Sequence, residues 1–163
     1  MAQISNKEAL AFRLQKMYWM EAEMEQLGLW EARIELMGED AEAIELLSAD
    51  SERHHVILEK WLQKANIEIP TSKPAGLPSK NFDFDGMDSP EMFRNIMKYE
   101  ILARDTYIEV RKSREAIKDL FIEESVQSEF IEDMGTLAKE EEQHRRICEE
   151  RIGGFRKITG RSL

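Results

Sequence analysis

"IPTSKPAGLPSKNFDFDGMDSP", residues 69–90, is the one stretch of the chain that interrupts an otherwise helical pattern. It holds all four prolines of the sequence, together with Gly76 and Gly86. Proline and glycine end helices and favour turns, so this stretch predicts a long connection rather than another helix. The residues on either side of it therefore form two separate helical units.

Each unit contains two predicted helices. The first helix is expected over residues 6–37, where Gly38 ends it, and the second over residues 40–65. The third begins at "DSPEM", with Ser89 as N-cap and Pro90 in the first turn. The last helix ends at Gly153–Gly154. Residues 113–127 are helical in character and either extend the third helix or form a short insert.

This element order predicts an all-α fold. Two helices, a long connection and two further helices are best satisfied by a four-helix bundle with one crossover between the second and third helices. The bundle is expected to cover residues 1–152, with the crossover at 66–90 and a tail at 153–163. The length of 163 residues suits one domain with a substantial core.

Composition excludes several classes of protein. The formal net charge of −10 argues against a nucleic-acid binder. We find no apolar run long enough to span a membrane. Cys148 is the only cysteine, which excludes a disulfide framework, a zinc ribbon and a four-cysteine iron site within the chain. Without a signal-like N-terminus, we expect a cytoplasmic protein.

Acidic residues interrupt the apolar seams of the predicted helices. The inward-facing line of the second helix is predicted to run through Ile44, Ser48, Glu52, His55, Glu59 and Leu62. That of the third helix is predicted to run through Phe93, Met97, Glu100, Arg104 and Tyr107, and that of the last helix through Phe130, Met134, Leu137, Glu141, His144 and Cys148. We assign one such acid to each helix: Glu23, Glu52, Glu100 and Glu141. A buried carboxylate without a partner costs several kcal/mol, so it must be protonated, paired or bound to a metal. Two of these acids have a histidine three residues later, His55 and His144. Residues three apart share one face of a helix, so each pair can point at a common centre.

The ligand chemistry of this set predicts two metal ions. Four carboxylates with two neutral imidazoles balance two divalent cations, and mixed oxygen and nitrogen ligands suit iron, with manganese also possible. Di-iron and di-manganese bundles have this arrangement: a single glutamate on each of two helices and a Glu-x-x-His motif on each of the other two. Glu21 and Glu25 remain open as alternatives to Glu23, and Glu21 lies under the apolar residues Leu14, Met17 and Met24.

Two half-repeats resemble the ferritin-like superfamily, nearest to its rubrerythrin branch. The first runs from Glu23 to His55; the second opens with "YEILARDTYIEV" at Tyr99 and closes with "LAKEEEQH" at His144. In each half an aromatic residue, Trp30 or Tyr107, follows the first glutamate by seven positions.

The resemblance implies a role for each of the six residues. Glu23 and Glu100 would be terminal ligands, Glu52 and Glu141 would bridge two iron ions, and His55 and His144 would complete the shells. The chain lacks the four cysteines of a rubredoxin domain, so electrons would come from an external donor. Ala103 stands where rubrerythrins carry a further glutamate.

The function expected from the resemblance is that of a non-haem di-iron protein that oxidises Fe(II) and reduces hydrogen peroxide or dioxygen, a rubrerythrin-like peroxidase or ferroxidase. Tyr107 is the candidate catalytic residue beside the metals. An iron-storage subunit, a di-iron oxygenase and a metal-free helical interaction protein remain alternatives.

Three further expectations concern residues outside that set. A second apolar face on the first helix, through Leu10, Leu14 and Met17, favours a homo-oligomer. His54 points about 100° away from His55 and is expected at the surface or at an interface. Cys148 is expected to be a small buried residue.

Overall fold

The computed structural model describes residues 4–26, 38–77, 84 and 86–152. Over these residues the protein is all-α, and no strand occurs among them. The described helices are α1 (Lys7–Met24), α2 (Glu39–Lys64), α3 (Ser89–Lys112), α4 (Arg114–Leu120) and α5 (Glu124–Ile152). None of them is long and apolar enough to cross a membrane.

Helix α1 begins where predicted, at an asparagine cap. The Asn6 side chain accepts a hydrogen bond of 2.9 Å from the backbone N–H of Ala9, which satisfies one of the free donors at the helix start. The helix ends at Met24, short of the predicted Met37, and residues 27–37 lie outside the described part. Its apolar face is internal: Leu10, Leu14 and Met17 are buried within the chain. These three residues therefore belong to the core of this chain, and the homo-oligomer expected from them stays a prediction.

Helix α2 shows the main difference from the sequence prediction. The expected inward line was Ile44, Ser48, Glu52, His55, Glu59 and Leu62, of which only Ile44 and Leu62 are buried. The buried face instead runs through Leu47, Ser51, His54, Leu58 and Trp61. The large apolar side chains settle the helix rotation, because burying leucine and tryptophan stabilises the fold by about 1.5–3 kcal/mol each.

The long connection separates α2 from α3, and no helix lies in its described part. Gly86 adopts a positive φ of 78°, which glycine allows without strain. The N-cap of α3 is Asp88, whose side chain accepts a 2.9 Å hydrogen bond from the N–H of Glu91. The predicted cap at Ser89 is wrong by one residue, and the Ser89 hydroxyl donates to Asp40 at 2.6 Å.

The helices associate mainly as two pairs, α1 with α2 and α3 with α5. Helix α4 is the short insert that the sequence left open at residues 113–127. The predicted seam of α5 is confirmed throughout, because all six of its residues are buried: Phe130, Met134, Leu137, Glu141, His144 and Cys148. An aromatic cluster of Trp61, Phe121 and Phe130, with ring centroids 5.1–5.4 Å apart, joins α2 to α5.

Candidate metal centre

Five buried ionisable side chains from four helices meet in the core. Glu21 lies on α1, His54 on α2, Glu100 on α3, and Glu141 and His144 lie on α5. Each is at most 1% exposed. Charged groups this deeply buried require partners, since the cost of removing a charge from water is several kcal/mol.

Glu141 occupies the middle of this cluster. Its Oε1 lies 2.8 Å from Nδ1 of His54, and its Oε2 lies 3.5 Å from Nδ1 of His144. On one side Glu21 Oε1 is 3.5 Å from Nδ1 of His54. On the other, Glu100 Oε2 is 3.2 Å from Nδ1 of His144. The cluster therefore divides into two ligand groups that share Glu141: Glu21–His54–Glu141 and Glu100–Glu141–His144, with the ligand atoms of each group within 4.8 Å of one another.

The far nitrogen of each imidazole contacts an outer carboxylate. Nε2 of His54 is 2.9 Å from Oε1 of Glu140, and Nε2 of His144 is 2.7 Å from Oδ2 of Asp50. The exchange is reciprocal, because each acid lies four residues before the other histidine in the sequence. Arg53 contacts both outer acids. A carboxylate on the outer nitrogen turns the inner nitrogen toward the centre and fixes its orientation.

The charges of the cluster depend on one another. Burial lowers the pKa of each imidazole, but the neighbouring carboxylates outweigh it. Glu141 and Glu21 raise the pKa of His54 to about 11. Glu100 and Glu141 raise the pKa of His144 to about 12. Without metal, both rings are therefore protonated at neutral pH.

The three inner carboxyl groups differ in acidity: one has a lowered pKa and two have raised pKa values. Burial and the charge of Glu141 raise the pKa of Glu21 to about 7 and raise that of Glu100 well above its usual value. Burial would also raise the pKa of Glu141, but its close contacts with Glu100, His144 and His54 hold that pKa well below the usual range. Glu141 is thus the permanent anion of the cluster.

The residues present fit a metal-binding role. Three buried carboxylate oxygens, Oε2 of Glu21, Oε1 of Glu100 and Oε2 of Glu141, have no hydrogen-bond partner. Buried polar atoms are ordinarily satisfied, and each orphan in a native core needs an explanation. Three carboxylates with two imidazoles are the oxygen and nitrogen ligands that iron and manganese accept. A cation at this centre would satisfy the orphaned oxygens and replace the protons on the rings.

Of the six predicted ligands, the structure brings Glu100, Glu141 and His144 together. The other three lie elsewhere. Glu52 is exposed on α2. His55 is half-buried and lies 3.0 Å from Glu25 Oε2, with its ring edge against Tyr18.

Glu23 is also held outside the cluster. Its Oε1 accepts a 2.9 Å hydrogen bond from Trp19 and lies 3.6 Å from Lys73 Nζ. Glu21, the open alternative on this helix, is in the cluster instead. Glu25, the other alternative, is the acid that contacts His55.

Sequence reasoning missed His54. The prediction that it lies at the surface or at an interface is wrong, since its side chain is fully buried against Glu141 and Glu21. A signal was present: His54 lies four residues before Leu58 and seven after Leu47, in line with the large apolar residues of α2. The outer acids Asp50 and Glu140 had no such signal, because exposed carboxylates are common on this chain.

Three neighbours of the cluster behave as follows. The Tyr107 hydroxyl donates a 2.9 Å hydrogen bond to Oε1 of Glu21, and the Tyr107 side chain is fully buried. Cys148 is buried, as predicted. Arg104 pairs with Asp105 and Glu142 rather than with a carboxylate of the cluster.

The chain was compared with known proteins. No protein-family model, no curated protein and no solved structure matches it.

Proposed function

We propose that the protein is a non-haem di-iron oxidoreductase that oxidises Fe(II) and reduces hydrogen peroxide or dioxygen. The observation that carries this proposal is the reciprocal pair of histidines, each with Nδ1 on buried carboxylates and Nε2 on an outer carboxylate. Histidines that bind metals nearly always give their other ring nitrogen such a partner. Its occurrence twice around one shared glutamate favours two adjacent ions.

The proposed scaffold is a ferritin-like four-helix bundle with a crossover between α2 and α3. Its support is the element order and the pairing of α1 with α2 and of α3 with α5. In such bundles, ligands come from side chains on facing helices. The cluster draws on the same four long helices.

Each residue has a distinct part in this proposal. Glu21 and His54 would hold one ion, Glu100 and His144 the other, and Glu141 would be shared. When bound, two iron ions would supply the electrons that reduce peroxide or dioxygen; manganese fits the same ligands. The complete burial of the cluster excludes bulk water from the reacting region.

Tyr107 is the residue proposed to act beside the metals. Its O–H donates to Glu21, so it orients that carboxylate and places a phenol next to a ligand. Burial and the negative charge of Glu21 hold the pKa of Tyr107 well above its usual value, which keeps the phenol protonated. An external electron donor, a homo-oligomeric assembly and a cytoplasmic location stay predictions.

The direct test is an anaerobic titration with Fe(II), followed by addition of hydrogen peroxide or dioxygen. We expect saturation near two equivalents and consumption of the oxidant by the loaded protein. Glu141→Gln removes the shared anion and should abolish the second equivalent and most of the activity. Glu142→Gln is the matched control, because Glu142 faces outward and pairs with Arg104 and Arg145. No saturable binding by the unaltered protein, or equal binding by both variants, refutes the proposal.

A metal-free helical interaction protein is the second candidate. It is favoured by one observation, that all four imidazole nitrogens of the cluster already have a carboxylate partner. Under this alternative the cluster is a buried ion-pair network, and Fe(II) or Mn(II) leaves the unfolding temperature unchanged. Under the di-iron proposal either ion raises it, because a ligand bound only by the folded state stabilises that state.

A further inference from the structure

The two halves of the cluster correspond residue by residue. Asp50, Ser51 and His54 on α2 match Glu140, Glu141 and His144 on α5, with a constant separation of 90 positions (140 − 50, 141 − 51, 144 − 54). The correspondence is spatial as well, because Asp50 contacts His144 and Glu140 contacts His54.

Of these three pairs, only Ser51 and Glu141 differ in chemical type, because serine carries no carboxylate. Ser51 stands on α2 where α5 has Glu141, the acid shared by both ligand groups. Its side chain is fully buried, on the same face as His54 and one turn before it. Its hydroxyl has no hydrogen-bond partner, whereas a helical serine usually bonds back to a carbonyl of the preceding turn.

With serine at position 51, the inner groups carry one negative charge fewer than they would with an acid there. Glu21, Glu100 and Glu141 contribute three negative charges when ionised. One divalent cation leaves a net charge of −1, which still attracts a second ion. Binding of a second cation brings the net charge of the inner groups and ions to +1, and the first cation repels the second. An acid at position 51 would make the inner charge −4 and the doubly loaded centre neutral.

We infer that Ser51 makes loading of the centre unequal, so that the first divalent ion binds tightly and the second binds much more weakly. The inference rests on the proposed function, since it concerns ions held by the same cluster. It assigns to Ser51 control over the occupancy of the centre. The outer groups Asp50, Glu140 and Arg53 add a net charge of −1 with either residue at position 51. They therefore leave unchanged the difference in charge that residue 51 itself makes.

The test is an anaerobic titration with Mn(II) in a carboxylate-free buffer. Binding is measured by calorimetry and, independently, by the electron paramagnetic resonance signal of the free ion. Two steps are expected for the unaltered protein, the second at least about 10-fold weaker, equivalent to about 1.4 kcal/mol. Ser51→Glu should tighten the second step by about 100-fold or more, because even the outer partners of metal ligands are worth 10- to 100-fold in affinity. Ser51→Gln is the control of equal shape without the charge and should keep the steps unequal.

Three outcomes overturn the inference. Equal affinity for both ions in the unaltered protein removes it while leaving the proposed function intact. The same ratio of affinities in Ser51→Glu and Ser51→Gln also removes it, because the charge is then irrelevant. No Mn(II) or Fe(II) binding at all removes the proposed function together with the inference. If the longer acid prevents folding, Ser51→Asp carries the same charge with one methylene less and is titrated instead.

Discussion

Replacing His54 or His55 by alanine tests which of two adjacent histidines belongs to the centre. His54 contacts Glu141 and Glu21 in the core and Glu140 at its edge. His55 lies half-buried against Glu25. Both residues are histidines on the same helix. The two substitutions therefore remove the same imidazole group, from the core in one case and from the helix side near Glu25 in the other.

The expected loss of stability in metal-free protein follows from these contacts. Removing one partner from a buried ion pair costs about 3–5 kcal/mol. We expect about 3 kcal/mol for His54→Ala, at the low end, because Glu21 has a pKa near 7 and can take up a proton. A partly exposed pair is worth at most about 1 kcal/mol, and the edge contact with Tyr18 about 0.5–1.5 kcal/mol. His55→Ala should therefore cost about 1–2 kcal/mol.

Urea unfolding of the metal-free variants measures this difference, and Fe(II) titration gives an independent measurement. His54→Ala should weaken binding of at least one equivalent by about 100-fold or more, because a direct ligand is worth more than the outer partners that contribute 10- to 100-fold. His55→Ala should change binding less than about 10-fold. Equal losses in the two variants, or a larger loss of iron binding for His55→Ala, would refute the register deduced for α2.

Further substitutions and conditions test the same cluster. Tyr107→Phe removes the hydrogen bond to Glu21 and should lower the free energy of unfolding by about 1.5 kcal/mol in urea; an unchanged value means that the bond contributes nothing. Glu52→Ala should leave Fe(II) stoichiometry unchanged, because Glu52 is exposed; a lost equivalent restores the original ligand prediction. Metal uptake at pH 7 should release protons, since His54 and His144 have pKa values raised to about 11 and 12 and must bind as neutral rings. Apparent affinity therefore rises with pH; calorimetric heats independent of buffer ionisation would contradict this.

Prediction from sequence worked best on α5. Its seam alternates steps of four and three over Phe130, Met134, Leu137, Glu141, His144 and Cys148, and every one is buried. On α5 the apolar residues and the acid–histidine pair lie on one line. The two criteria used for prediction, the apolar period and the Glu-x-x-His spacing, therefore select the same face of the helix. On α3 the predicted line is buried at Phe93, Glu100 and Tyr107.

On α2 the two criteria disagree. The acid–histidine spacing selects Glu52 and His55, whereas the large side chains Leu47, Leu58 and Trp61 select the face that holds His54. With 33 acidic residues in 163, a glutamate three positions before a histidine arises readily by chance. Burial of the apolar side chains prevails, because their transfer from water is favourable and the exposed carboxylate of Glu52 needs no partner.

By itself the sequence determined that the chain is helical, that its helices fall on two sides of a proline-rich connection, and that α5 turns Glu141 and His144 inward. These features follow from local preferences and from an unambiguous apolar period. Only the tertiary structure decided between Glu21 and Glu23 and between His54 and His55. Adjacent helical residues point about 100° apart, so the rotation of a helix against its neighbours decides which of its residues enters the buried cluster. That rotation depends on packing between residues far apart in the chain.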